Sequence, residues 1–148
     1  MKRSTIVEII AILFIILFLY TGISKLMEYD VAKEQIGLTP MLAPVSSTLV
    51  IILPIAEIIT AIILFMPNTR RYGLWAALAL MAAFTGYVIY ILNNNDQLPC
   101  TCGGVLEQLS WPQHLVFNIT FTALSIIAVF LSRPQRLTHI NKIPASGT

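Results

Sequence analysis

Cys100 and Cys102 are the chain's two cysteines, set one residue apart in Leu98-Pro99-Cys100-Thr101-Cys102-Gly103-Gly104. A disulfide needs Cα atoms about 4.4–6.8 Å apart. Residues i and i+2 reach that range only through a tight turn and a small strained ring. Strained disulfides are more oxidising and more labile. Gly103 and Gly104 supply the backbone freedom such a turn uses, and Pro99 stiffens its entry. A structural bridge stabilises by closing a long loop, and this one closes almost none, so the spacing points to thiol–disulfide exchange. Two other readings stay open. The pair can be two reduced thiols without a role, or it can join His114 around a soft metal such as Zn²⁺ or Cu⁺. The metal reading lacks an evident fourth ligand. The exchange reading lacks a cation to favour the thiolate, because residues 93–113 hold no Lys or Arg and carry Asp96 and Glu107. A short helix over Gly104–Ser110, with its N-terminus toward Cys102, is the expected compensation.

The elements that hold this pair are apolar. The 148 residues are 57% hydrophobic and 11% charged, against about 25% charged in ordinary soluble domains. Runs of about 20 apolar residues read as membrane-spanning helices, and lipid leaves no partner for unpaired backbone, which favours helices. The expected fold is all-α: an integral membrane four-helix bundle with spans near Thr5–Met27, Val45–Met66, Tyr72–Leu92 and His114–Leu131. Pro112 lies near the first turn of span four, where a missing N–H costs little. Pro67 and Pro134 stop spans two and four. The transmembrane domain is expected over residues 1–135 and a short cytoplasmic tail over 136–148. The apolar run from Ile6 to Met27 exceeds a signal-peptide core, and no small-residue cleavage site follows it, so an uncleaved first span is expected. No lipid-anchor motif is seen. The net charge of +2 forms no basic patch, which argues against nucleic acid as a partner.

Charge asymmetry sets the expected orientation. Lys2, Arg3, Arg70, Arg71, Arg133, Arg136 and Lys142 fall on one side, and only Lys25 and Lys33 on the other. Seven against two places both termini in the cytoplasm and the Cys-x-Cys loop outside, where disulfides persist. Trp75 toward the inner face, and Tyr90 and Trp111 toward the outer face, suit interfacial belts.

Three features inside the spans carry meaning. Glu57 falls near the centre of span two, where an ionisable group is costly and marks function by default. Pro54 lies on the same helical face. Lys25, near the outer end of span one beside Ser24, is the expected partner. The pair locks spans one and two together, or Glu57 relays a proton to a quinone or thiol, or Glu57 is neutral and hydrogen-bonded. Thr85 and Gly86 suit close helix approach, and Tyr87 and Tyr90 suit an aromatic belt. Asn118, one turn into span four, needs a polar partner and is expected beneath the cysteine loop.

Thr21-Gly22-Ile23-Ser24-Lys25-Leu26, Pro54-Ile55-Ala56-Glu57, Pro99-Cys100-Thr101-Cys102-Gly103-Gly104, Leu109-Ser110-Trp111 and Asn118 occur in that order. In this order the chain resembles the MauE branch of the DoxX-like membrane proteins over about residues 5–131. It differs from the family's usual form at Cys100-Thr101-Cys102-Gly103-Gly104 and at Phe117. The resemblance implies a redox-associated protein of the bacterial inner membrane. Such a protein acts with a periplasmic thioredoxin-like partner in disulfide formation or maturation of exported proteins; the founding role is maturation of methylamine dehydrogenase. Cys100 and Cys102 are then the redox pair, and Lys25, Glu57 and Asn118 support them. The chain is more remotely similar to the quinone-linked disulfide-forming four-helix enzymes, but has no second cysteine pair. No cofactor is fixed by the residues; that likeness brings a membrane quinone into consideration. Membrane lipid and further membrane subunits are the other expected partners. Competing readings are a non-catalytic assembly subunit and a metal-handling membrane protein.

Overall fold

The computed structural model describes residues 2–94 and 110–132. The helices are α1 (Arg3–Met27), α2 (Tyr29–Gly37), α3 (Ser46–Phe65), α4 (Arg70–Asn93) and α5 (Trp111–Leu131), with a 3₁₀ turn at Ala43–Val45 before α3. Four of them are long and apolar enough to cross a membrane. At 1.5 Å per residue, a helix of about 20 residues spans the roughly 30 Å hydrocarbon layer.

The outward faces show which solvent they meet. Ile9, Ile12 and Ile16 on α1, Ile51, Ile55, Ile59 and Ile62 on α3, and Val116, Ile119, Ile126 and Phe130 on α5 are all exposed. Apolar surface of this extent is not stable in water, and lipid accepts it. The chain is a multi-pass membrane protein.

The spans expected from the sequence coincide with α1, α3, α4 and α5 to within three residues at each end. The segment after span one is not a plain loop: Tyr29–Gly37 forms α2, nine residues packed back on α3. Glu28 separates α1 from α2, and its N–H reaches Ser24 O. Ser110 begins α5 through a capping box: Gln113 Oε1 accepts the Ser110 N–H, and the Ser110 hydroxyl accepts the N–H of Gln113. Such reciprocal capping satisfies two end donors, and Pro112 occupies the first turn as expected.

Helix α1 packs chiefly on α3, and α4 on α5. One half of the bundle is solid. Phe14 and Phe18 lie with ring centroids 5.5 Å apart, and Phe121 meets Phe14 edge-on at 5.5 Å. Ala61, Leu64, Leu74, Ala77, Met81 and Ala128 fill the space around them. Gly73 lets α4 close on α3 here, since a Cβ at Gly73 would sit 2.9 Å from Leu64 N. The opposite half, below α2, is not filled.

Candidate functional site

Glu57 is fully buried on α3. A buried carboxylate needs partners to offset its lost hydration, and α1 supplies them. Lys25 Nζ donates to Glu57 Oε1 at 2.5 Å. Thr21 Oγ1 lies 3.2 Å from Glu57 Oε2 and 3.0 Å from Leu17 O, so one hydroxyl proton serves two acceptors. Thr21 and Lys25 are four residues apart, one turn on the same face of α1. The Lys25 ammonium also stands 4.8 Å from the Phe84 ring centroid on α4, a cation–π distance. The ammonium is therefore stabilised by α3 and α4 together.

Gly22 makes this geometry reachable. A Cβ there would lie 3.0 Å from Ile58 Cγ1 and 3.2 Å from Pro54 O. The backbones of α1 and α3 thus approach at the level of Pro54 and Glu57. Pro54, inside α3, lacks the N–H that would bond one turn back. It is buried, so the helix presents Pro54 and Glu57 on one inward face. Lys25 and Glu57 are brought together as the sequence reading expects.

Around this pair lies a cavity of about 480 Å³, within the range of small-molecule sites. Leu17, Phe18, Leu53, Met81 and Phe117 make its walls apolar, while Thr39, Lys25, Glu57 and Asn118 contribute the polar groups. Helix α2 covers it through Ala32, Gln35 and Ile36. Thr39, just after α2, is buried and its hydroxyl lies 3.1 Å from the Tyr87 hydroxyl on α4. That contact ties the cover to the bundle.

Several expectations change. Tyr87 is not only a belt residue; it faces the cavity and meets Thr39. Gly86 does not sit at a helix contact, because a Cβ there would meet nothing within 4 Å. Close approach is the role of Gly22 and Gly73. Thr85 does bridge helices, with its hydroxyl 3.0 Å from that of Thr122 on α5. Asn118 is buried and donates from Nδ2 to His114 O within α5, and both residues line the cavity. The sequence reading missed Thr21, Phe84, Thr39 and α2's cover. Thr21 had a signal, one turn before Lys25; the cavity had none, because residues of several helices line it together.

Cys100 and Cys102 lie outside the described residues, as do Asp96, Glu107, nearly all of the helix expected over Gly104–Ser110, and the 136–148 tail. Ser110 itself caps α5. The ends that flank the cysteine segment are described: Tyr90, one turn before Asn94, and His114, one turn after Ser110, both line the cavity.

A family model described as methylamine utilisation protein MauE matches residues 3–131. No curated protein and no solved structure matches the chain.

Proposed function

The chain belongs to the MauE family, and from that premise we propose that it is a thiol–disulfide exchange component of the bacterial inner membrane. It works with a periplasmic thioredoxin-like partner on exported proteins. The membrane-embedded accessory role follows from the family and the four apolar helices; the exchange chemistry is the proposal. The observation that carries it is the Cys100-Thr101-Cys102 spacing, between helix ends that border one cavity.

Cys100 and Cys102 begin as a disulfide. A thiolate of the reduced partner attacks one sulfur, forms a mixed disulfide and releases the other cysteine as a thiolate. The partner's second thiolate then attacks the mixed disulfide and leaves as part of an oxidised partner. Two electrons and two protons pass from partner dithiol to Cys100 and Cys102. A lipid-soluble quinone would supply the two-electron, two-proton acceptor that restores the disulfide. Lys25 and Glu57 fix α1 to α3, and Asn118 hydrogen-bonds within the start of α5. The expected orientation, with both termini cytoplasmic, puts the pair in the oxidising compartment.

The test mixes the oxidised full chain with a reduced thioredoxin-like dithiol protein and alkylates after acid quenching. Two thiols gained per chain and two lost per partner support the reading. A pair that stays oxidised, or reduced thiols that never form a disulfide, overturns it.

A further inference from the structure

The cavity lies toward one end of the bundle. Its walls come from the last turns of α1, the first half of α3, the second half of α4 and the first two turns of α5. Helix α2 joins α1 to α3 at that same end, and places Ala32, Gln35 and Ile36 against the cavity. The four wall helices are each long enough to span a membrane, whereas α2 has nine residues.

Three observations set α2 apart. None of its side chains is buried, so little apolar area holds it down. It packs on α1, α3 and the 3₁₀ turn, its own neighbours in sequence, while the tie across the cavity to α4 is the Thr39–Tyr87 hydroxyl pair at 3.1 Å. Glu28, with φ −108° and ψ 46°, belongs to neither α1 nor α2, so the joint between them is not helical. A helix this short is marginal by itself. Segments with few buried apolar contacts open at low free energy, and lids are drawn from them. Opening uncovers the apolar side chains of Leu53, Met81 and Phe117, so the closed form dominates.

We propose that α2 is a lid. It turns about Glu28, and the Thr39–Tyr87 hydrogen bond latches it to α4. The open form is a minor one, and it admits water-borne molecules from that end of the bundle to the Lys25–Glu57 pair. The lid needs no cysteine, so it stands or falls apart from the exchange reading.

The test uses the full chain in detergent micelles, with Cys100→Ser and Cys102→Ser and one reporter thiol. Val50→Cys sets the reporter on the cavity wall, where Val50 is 1% exposed. Val129→Cys sets it in the solid core instead, at a position 6% exposed and outside the cavity lining. A charged, water-soluble methanethiosulfonate labels each thiol at a rate set by how often its site opens. Thr39→Val and Tyr87→Phe each remove the latch and should speed labelling of Val50→Cys about fivefold, the worth of one hydrogen bond. Both changes together should add little to either one, because they break the same bond. Labelling of Val129→Cys should not change. Three results would each overturn the proposal: rates at Val50→Cys indifferent to both latch variants, effects that multiply fully in the double variant, or equal acceleration at Val129→Cys, which marks loosening of the whole bundle.

Discussion

Replacing Lys25 with Met tests the clamp that holds the site. Among the described residues, the change leaves Glu57 fully buried with only the Thr21 hydroxyl, already shared with Leu17 O. Removing one partner of a buried ion pair costs about 3–5 kcal/mol. Glu57→Gln is gentler, because the Lys25 side chain keeps 23% exposure and remains near Phe84; about 1–2 kcal/mol is expected. The double variant Lys25→Met/Glu57→Gln leaves no unpaired ion and costs about 2 kcal/mol, chiefly lost packing and hydrogen bonding. The cycle then yields a coupling of about 3 kcal/mol. Ordinary interhelical hydrogen bonds in membranes average about 0.6 kcal/mol, so the two cases separate clearly. The assay is reversible denaturant unfolding of the solubilised protein, followed by helical circular dichroism. A coupling at or below about 0.6 kcal/mol refutes the view that this pair fastens α1 to α3.

Four further outcomes follow from the helix packing, the charge asymmetry and the cysteine spacing. Gly22→Ala should destabilise by about 1–3 kcal/mol through overpacking, since its Cβ would press on Ile58 and Pro54 O. Gly86→Ala should instead be neutral or stabilise by up to about 1 kcal/mol, since it meets open space; thermal unfolding compares the two signs. A membrane-impermeant maleimide added outside reduced spheroplasts should label Cys100 and Cys102, and should label Asn68→Cys only after lysis; the reverse pattern would invert the orientation. Equilibration with redox buffers should give Cys100–Cys102 a potential above about −300 mV, the region of labile rather than structural disulfides.

The spans were legible because lipid demands about 20 apolar residues from any helix that crosses it, and α1, α3, α4 and α5 meet that demand. Lys25 with Glu57 was legible for a related reason, since an ionisable group in a span needs a named partner. Helix α2 was not legible: Tyr-Asp-Val-Ala-Lys-Glu-Gln-Ile-Gly is short and of mixed polarity, and packing on α3 decides its state more than propensity does. Gly22 and Gly86 look alike in sequence and act oppositely, one closing a contact and one leaving a gap. Only the facing helix separates those roles. Tyr87 suited an interfacial belt by its depth, yet Thr39 draws its hydroxyl inward. A pattern reading takes in one helix at a time, whereas a cavity belongs to several.

The central claim is that Cys100 and Cys102 exchange electrons with a partner's thiols through a mixed disulfide. Single variants Cys102→Ser and Cys100→Ser, expressed in cells and acid-quenched, test it most directly. One of the two should accumulate a covalent adduct with a thioredoxin-like protein that dissolves under reductant, while the double variant forms none. Absence of any reductant-sensitive adduct from both single variants would contradict the account.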